Sequence, residues 1–111
     1  MEESGKGPQE ESADCVEIFI VMARFPIGAI VVTPAAADAL GTAGESPWKF
    51  LARHASRDWG EVDEEDRCAN NHAVRSFGRL LSAYTMATGQ PVWVITEGDR
   101  SATTILLPEE Y

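Results

Sequence analysis

Residues 58 to 66, read as DWGEVDEED, gather six carboxylates into nine positions: Asp58, Glu61, Asp63, Glu64, Glu65 and Asp66, with Trp59 among them. Acids this dense can hold a hard cation, do acid–base work, dress the start of a helix, or offer negative charge to a protein surface that otherwise grips phosphates. A calcium loop of the EF-hand kind does not fit. Gly60 comes too early, and Val62 stands where an oxygen ligand belongs. A looser divalent site from Asp58, Glu61 and Glu65 is the remaining metal reading. Asp63 is the expected N-cap of a helix, with Glu64, Glu65 and Asp66 in its first turn. There each carboxylate gains about 0.3–1 kcal/mol from the positive end of the helix dipole. That accounts for about half of the cluster and leaves Asp58, Trp59 and Glu61. Trp59 has two readings: an aromatic interface anchor, or a core residue tying the loop to a sheet.

Other chemistry-bearing residues form weaker patterns. Glu97, Asp99 and Arg100 crowd the segment ITEGDRS, where Gly98 and Asp99 make a turn and Arg100 is expected to pair with an acid of the Trp59 loop. Alternatively, Glu97, Asp99 and Arg100 form a recognition edge. Cys68 and His72 are four apart on one helix face, which is half a zinc site. A buried cysteine and a surface histidine are the simpler reading. His54, Ser56 and Asp58 are neighbours in sequence, but at a helix end they point in different directions. No GxSxG and no GxxxxGK[ST] occurs. These residues predict no catalytic group, no metal and no cofactor.

The elements that must position these residues follow from patterning. The 111 residues carry a net charge of −9, enough chain for one domain. Residues 1–14 are rich in Glu, Ser, Gly and Gln and lack aromatic and β-branched residues, so a disordered acidic tail is expected there, with a single α+β domain over 15–111. CVEIFIVMARF alternates like a strand, and residues 29–33 form a second, β-branched one. Thr33-Pro34 and Ser46-Pro47 each mark a helix start, the first helix ending at Gly41 or Gly44. The helix led by Asp63 follows. RLLSAYTM, PVWVITE and ATTILLP then read as three strands of a meander. The expected fold is α+β: an antiparallel sheet of this meander plus N-terminal strands, with three helices on one face. Two cysteines without CxxC spacing read as reduced thiols. The acidic balance argues against direct binding of nucleic acid or of an anionic membrane, and no apolar run reaches the length of a bilayer span. The first residues do not read as a secretory signal, so a cytoplasmic protein is expected.

FPIGAIVVTPAAADAL, SPWKFLARHASRDWGEVDEED, RLLSAY and VWVITEGDRSATTILLPEEY together resemble a family of small plasmid-related proteins encoded on plasmids, integrated elements and phage-like islands of bacteria. The resemblance runs from Phe25 to Tyr111. It implies a setting in a bacterial host, where small acidic proteins of mobile elements act against host defence as anti-CRISPR or anti-restriction inhibitors. The function expected is that of a non-enzymatic DNA mimic. Its partner would be the basic nucleic-acid-binding surface of a protein complex such as a Cas effector, met by Asp58, Trp59, Glu61, Asp63, Glu64, Glu65, Asp66, Glu97 and Asp99. The alternatives are an accessory protein of the element, in one version a homodimer through a sheet edge, and a carboxylate-based metal enzyme.

Overall fold

The computed structural model describes residues 25–111. The tail expected over 1–14 and the strand expected over CVEIFIVMARF up to residue 24 lie outside the described residues. Four strands and three helices follow in the order β1 (Ala29–Val32), α1 (Pro34–Ala43), α2 (Pro47–Ala55), α3 (Glu64–Ser76), β2 (Leu80–Thr85), β3 (Pro91–Thr96) and β4 (Ala102–Leu106), with a 3-10 turn at Pro108–Glu110.

Local chemistry sets each helix start. Thr33 Oγ1 accepts the Ala36 N–H at 3.1 Å, Ser46 Oγ accepts the Trp48 N–H at 3.1 Å, and Asp63 Oδ1 accepts the Asp66 N–H at 2.8 Å. Proline occupies the first turn of α1 and α2, where its missing N–H costs nothing. α1 runs through Gly41 and ends at Gly44, whose φ of 70° is the left-handed conformation glycine adopts without strain.

The sheet order is β1-β4-β3-β2. β2, β3 and β4 pair antiparallel, as short turns between them require. β1 is different: it runs parallel to β4, with Ala29 opposite Ala102 and Val32 opposite Ile105. The sheet is therefore mixed, which corrects the expectation of antiparallel pairing throughout. No turn dictates the direction of β1. It joins the meander through three helices, and a crossover of that length permits the parallel arrangement that a hairpin forbids.

The helices cover one face of the sheet. Ala36 and Leu40 of α1 and Phe50 and Leu51 of α2 bury against Tyr84, Val92, Val94 and Ile105. Phe25, Trp59, Ala73 and Leu80 form a second cluster beside α3. On the opposite face Tyr111 folds back onto Trp93, ring centroids 5.7 Å apart, and the Arg79 guanidinium lies 5.2 Å from the Tyr111 ring.

Candidate functional site: the acidic entry to α3

The acidic segment begins where α2 ends. The Arg53 Nε–H donates to Asp58 Oδ2 at 2.7 Å, and Asp58 Oδ1 accepts the Gly60 N–H at 3.2 Å. The Arg53 hydrogen bond, with help from the Gly60 N–H, holds the Asp58 carboxyl below its ordinary range. Tyr84 donates its hydroxyl to the Asp58 carbonyl at 2.6 Å, and burial pushes that phenol up to about 12. The chain then presses against β2. Gly60 forms a parallel bridge to Ala83, the Ala83 N–H donates to the Trp59 carbonyl at 3.0 Å, and the Glu61 N–H donates to the Ala83 carbonyl at 2.7 Å. A β-carbon on Gly60 would stand 2.1 Å from the Ala83 oxygen, and its φ is 76°, so only glycine fits there.

The acids divide by employment. Glu61 accepts the Thr85 hydroxyl, 2.8 and 3.0 Å from its two oxygens. Asp63 caps α3. Glu64 pairs with Arg67 one turn along. Glu65 and Asp66 are exposed, and no described side chain bonds or pairs with their carboxylates. Glu61, Glu64, Glu65 and Asp66 are thus the outward acids at this end of α3. Asp58, Glu61 and Glu65 do not converge, and among the described residues no three His, Cys, Asp or Glu side chains form a metal-holding group.

Trp59 belongs to the core. It is 3% exposed, its Nε1–H donates to Asn71 Oδ1 at 3.0 Å, and its ring stacks on Phe25 with centroids 6.0 Å apart. This corrects the reading of Trp59 as a partner-binding anchor, because a side chain held inside the domain is not available to a partner.

Glu97 and Asp99 sit elsewhere. Their turn closes with the Arg100 N–H donating to the Glu97 carbonyl at 2.8 Å, and Asp99 Oδ1 accepts the Ser101 N–H at 2.9 Å. Arg100 does not pair with the Trp59 loop as expected. It is buried, and its guanidinium donates to the carbonyls of Ala73 and Gly78 at 2.7 Å each and to those of Glu97 and Gly98 at 3.2 Å. A cation here satisfies carbonyls at the negative end of α3. The Glu97–Asp99 turn is therefore at the C-terminal end of α3 and the acidic cluster at its N-terminal end. Thirteen residues of helix separate them by about 20 Å, so the two groups do not form one recognition face.

A cluster that sequence reasoning passed over lies between α2 and the sheet. His54 Nδ1 is 2.6 Å from Ser82 Oγ, and Nε2 is 2.8 Å from Thr96 Oγ1. Thr96 Oγ1 is 2.7 Å from Thr103 Oγ1, whose hydroxyl donates to the Ile27 carbonyl at 2.7 Å. The available signal was three hydroxyl residues at inward positions of strands whose other inward residues are apolar. A serine bonded to a histidine resembles a nucleophile and its base. Here all four side chains are fully buried, and Phe25 and Trp59 pack on the imidazole with centroids 5.3 and 5.5 Å away. The cluster is closed off from the surface, and its hydrogen bonds satisfy polar groups buried among apolar ones.

His72 is exposed, as expected, whereas Cys68 is half-buried and disulfide-bonded. This corrects the expectation of a free thiol at Cys68 and removes it as a thiolate ligand; Cys15 lies outside the described residues. No helix among the described residues is long and apolar enough to cross a membrane. A hollow of about 380 Å³ opens between β1 and α1, lined by Val32, Ala37, Leu40, Gly41, Glu45 and Pro47. Its one carboxylate, Glu45, is held by the Lys49 ammonium and the Ala87 N–H. Comparisons with protein-family models, with curated proteins and with solved structures find no match to this chain.

Proposed function

We propose that this protein is a non-enzymatic binding protein that sets the acidic entry of α3 against a basic, phosphate-gripping surface of a protein partner. The observation that carries the reading is the outward set Glu61, Glu64, Glu65 and Asp66, two of which, Glu65 and Asp66, have no described side-chain partner. Outward carboxylates of this kind steer association with a cationic groove and are screened by salt. The −9 net charge supports the same reading. The burial of the Ser82–His54 pair and the apolar lining of the β1–α1 hollow favour it over catalysis. The resemblance to plasmid-related proteins supplies the setting: inhibition of a nucleic-acid-targeting defence complex, with an RNA-guided effector as the partner.

The test is target-DNA binding by a purified RNA-guided effector with increasing amounts of this protein. The parent is expected to displace DNA at low salt and less so at high salt. Glu65→Gln combined with Asp66→Asn removes two charges without disturbing a described side-chain contact, and is expected to weaken displacement on the order of tenfold. Equal displacement by this variant and the parent at low salt rules out mimicry by these acids.

A further inference from the structure

The two edges of the sheet are treated differently. β2 is closed from outside by residues 59 to 61, which exchange backbone hydrogen bonds with Ala83. β1 is the other edge. Its Ala29 N–H donates to the Ser101 carbonyl and the Thr33 N–H to the Ile105 carbonyl, both at 3.0 Å. Backbone groups alternate sides along an extended strand, so the N–H and C=O of Ile30 and Val32 point away from β4, and no described residue bonds to them. The strand AIVV carries no charge, and Ile30 and Val31 are 40% and 45% exposed. Natural edges of this kind are normally blunted by a lysine, a bulge or a cover. Beside the same edge opens the hollow between β1 and α1, with Val32 in its wall and the small residues Ala37 and Gly41 on the helix side.

We infer that β1 pairs antiparallel with β1 of a second copy of this chain, about a two-fold axis through Val31, to make one continuous eight-stranded sheet. The register follows from geometry. Residues opposite one another must point to the same face, and Ile30 and Val32 share the helix face with Thr103 and Ile105 while Val31 shares the other with Thr104. Centring on Val31 sets Ile30 opposite the partner's Val32 and Val32 opposite the partner's Ile30. Both outward residues of each copy then exchange N–H and C=O, giving four hydrogen bonds, with the two Val31 side chains in contact at the axis. Pro34 ends the ladder where its missing N–H is not needed. A second copy fits because the pairing is self-complementary without any charge to match, as an isologous interface requires. The two α1 helices then approach along Ala37 and Gly41, and closing the hollows adds the apolar area that a four-residue strand pair lacks.

Sedimentation equilibrium of the full chain is expected to give twice the 12.1 kDa chain mass. Val31→Lys, which sets two ammonium groups against each other, is expected to give the monomer mass with an unchanged circular dichroism spectrum. Val31→Cys is expected to cross-link into a covalent dimer under mild oxidation, because opposed β-carbons in such a pair stand about 4.5–5.5 Å apart, close to disulfide reach. Ala29→Cys is the control, since the register holds its two copies about 13 Å apart. A monomer mass for the parent across the concentration range, a dimer that survives Val31→Lys, or Ala29→Cys cross-linking as fast as Val31→Cys overturns the inference. The cross-linking comparison decides the question even if the Val31→Lys chain fails to fold.

Discussion

His54 Nε2 lies 2.8 Å from Thr96 Oγ1, 42 positions away in the chain, and neither residue has any exposed surface. The order of donors along this line assigns the imidazole. Thr103 spends its proton on the Ile27 carbonyl, so it accepts from Thr96. Thr96 has then spent its own and accepts from Nε2–H, which leaves Nδ1 to accept from Ser82. The line is complete only with a neutral imidazole, in the Nε2–H tautomer.

A proton on His54 must therefore break this line as well as bury a charge. Desolvation by burial, aided by the nearby Arg100 charge, lowers its pKa to about 4 from the ordinary 6.5. A folded-state pKa below the unfolded value means that the contribution to stability is fully present above pH ~6.5 and is lost as the pH falls toward 4. Urea unfolding across that window is expected to show a loss of roughly 3 kcal/mol from this group. His54→Gln should lower stability at neutral pH and flatten the slope between pH 6.5 and 4. An equal slope in parent and variant would assign the acid sensitivity to carboxylates such as Asp58.

Arg100→Ala removes a buried fork from the carbonyls of Ala73 and Gly78 and leaves the C-terminal end of α3 unsatisfied. Denaturant unfolding is expected to show a loss of roughly 2–4 kcal/mol. Arg100→Lys should recover only part of it, because an ammonium does not span both carbonyls in the guanidinium's planar geometry.

Asp63→Ala takes away the side-chain acceptor for the Asp66 N–H and is expected to cost about 0.5–2 kcal/mol, with Asp63→Asn or Asp63→Ser restoring most of it. Thermal melts of the three variants test this ranking. No loss in the alanine variant would show that α3 starts without this cap.

Trp59→Phe keeps the ring stacked near Phe25 and deletes the donor to Asn71 Oδ1, leaving a buried acceptor. A loss of about 1–3 kcal/mol is expected in urea unfolding. Binding to a cationic partner, measured at a temperature where both proteins are fully folded, should not change. A loss of affinity at full folding would return Trp59 to the interface.

Much of the architecture was legible in local chemistry. Thr33-Pro34, Ser46-Pro47 and Asp63 announce three helix starts, because a cap and its first turn are contiguous in the chain. The meander was legible for the same reason: turn residues and period-two runs act over a few positions. The direction and place of β1 were not, since a strand whose connection is three helices long takes its partner from packing rather than from a turn. The same boundary runs through the candidate site. Sequence showed that the acids of residues 58 to 66 exceed what a helix start needs. Only the tertiary structure decided that Asp58 is occupied by Arg53, that Trp59 faces inward, and that Glu97 and Asp99 stand at the far end of α3. Arg100 reaches Ala73 across 27 positions, and His54 reaches Thr96 across 42. Contacts of that separation depend on how the helices settle on the sheet, and no local pattern of residues records them.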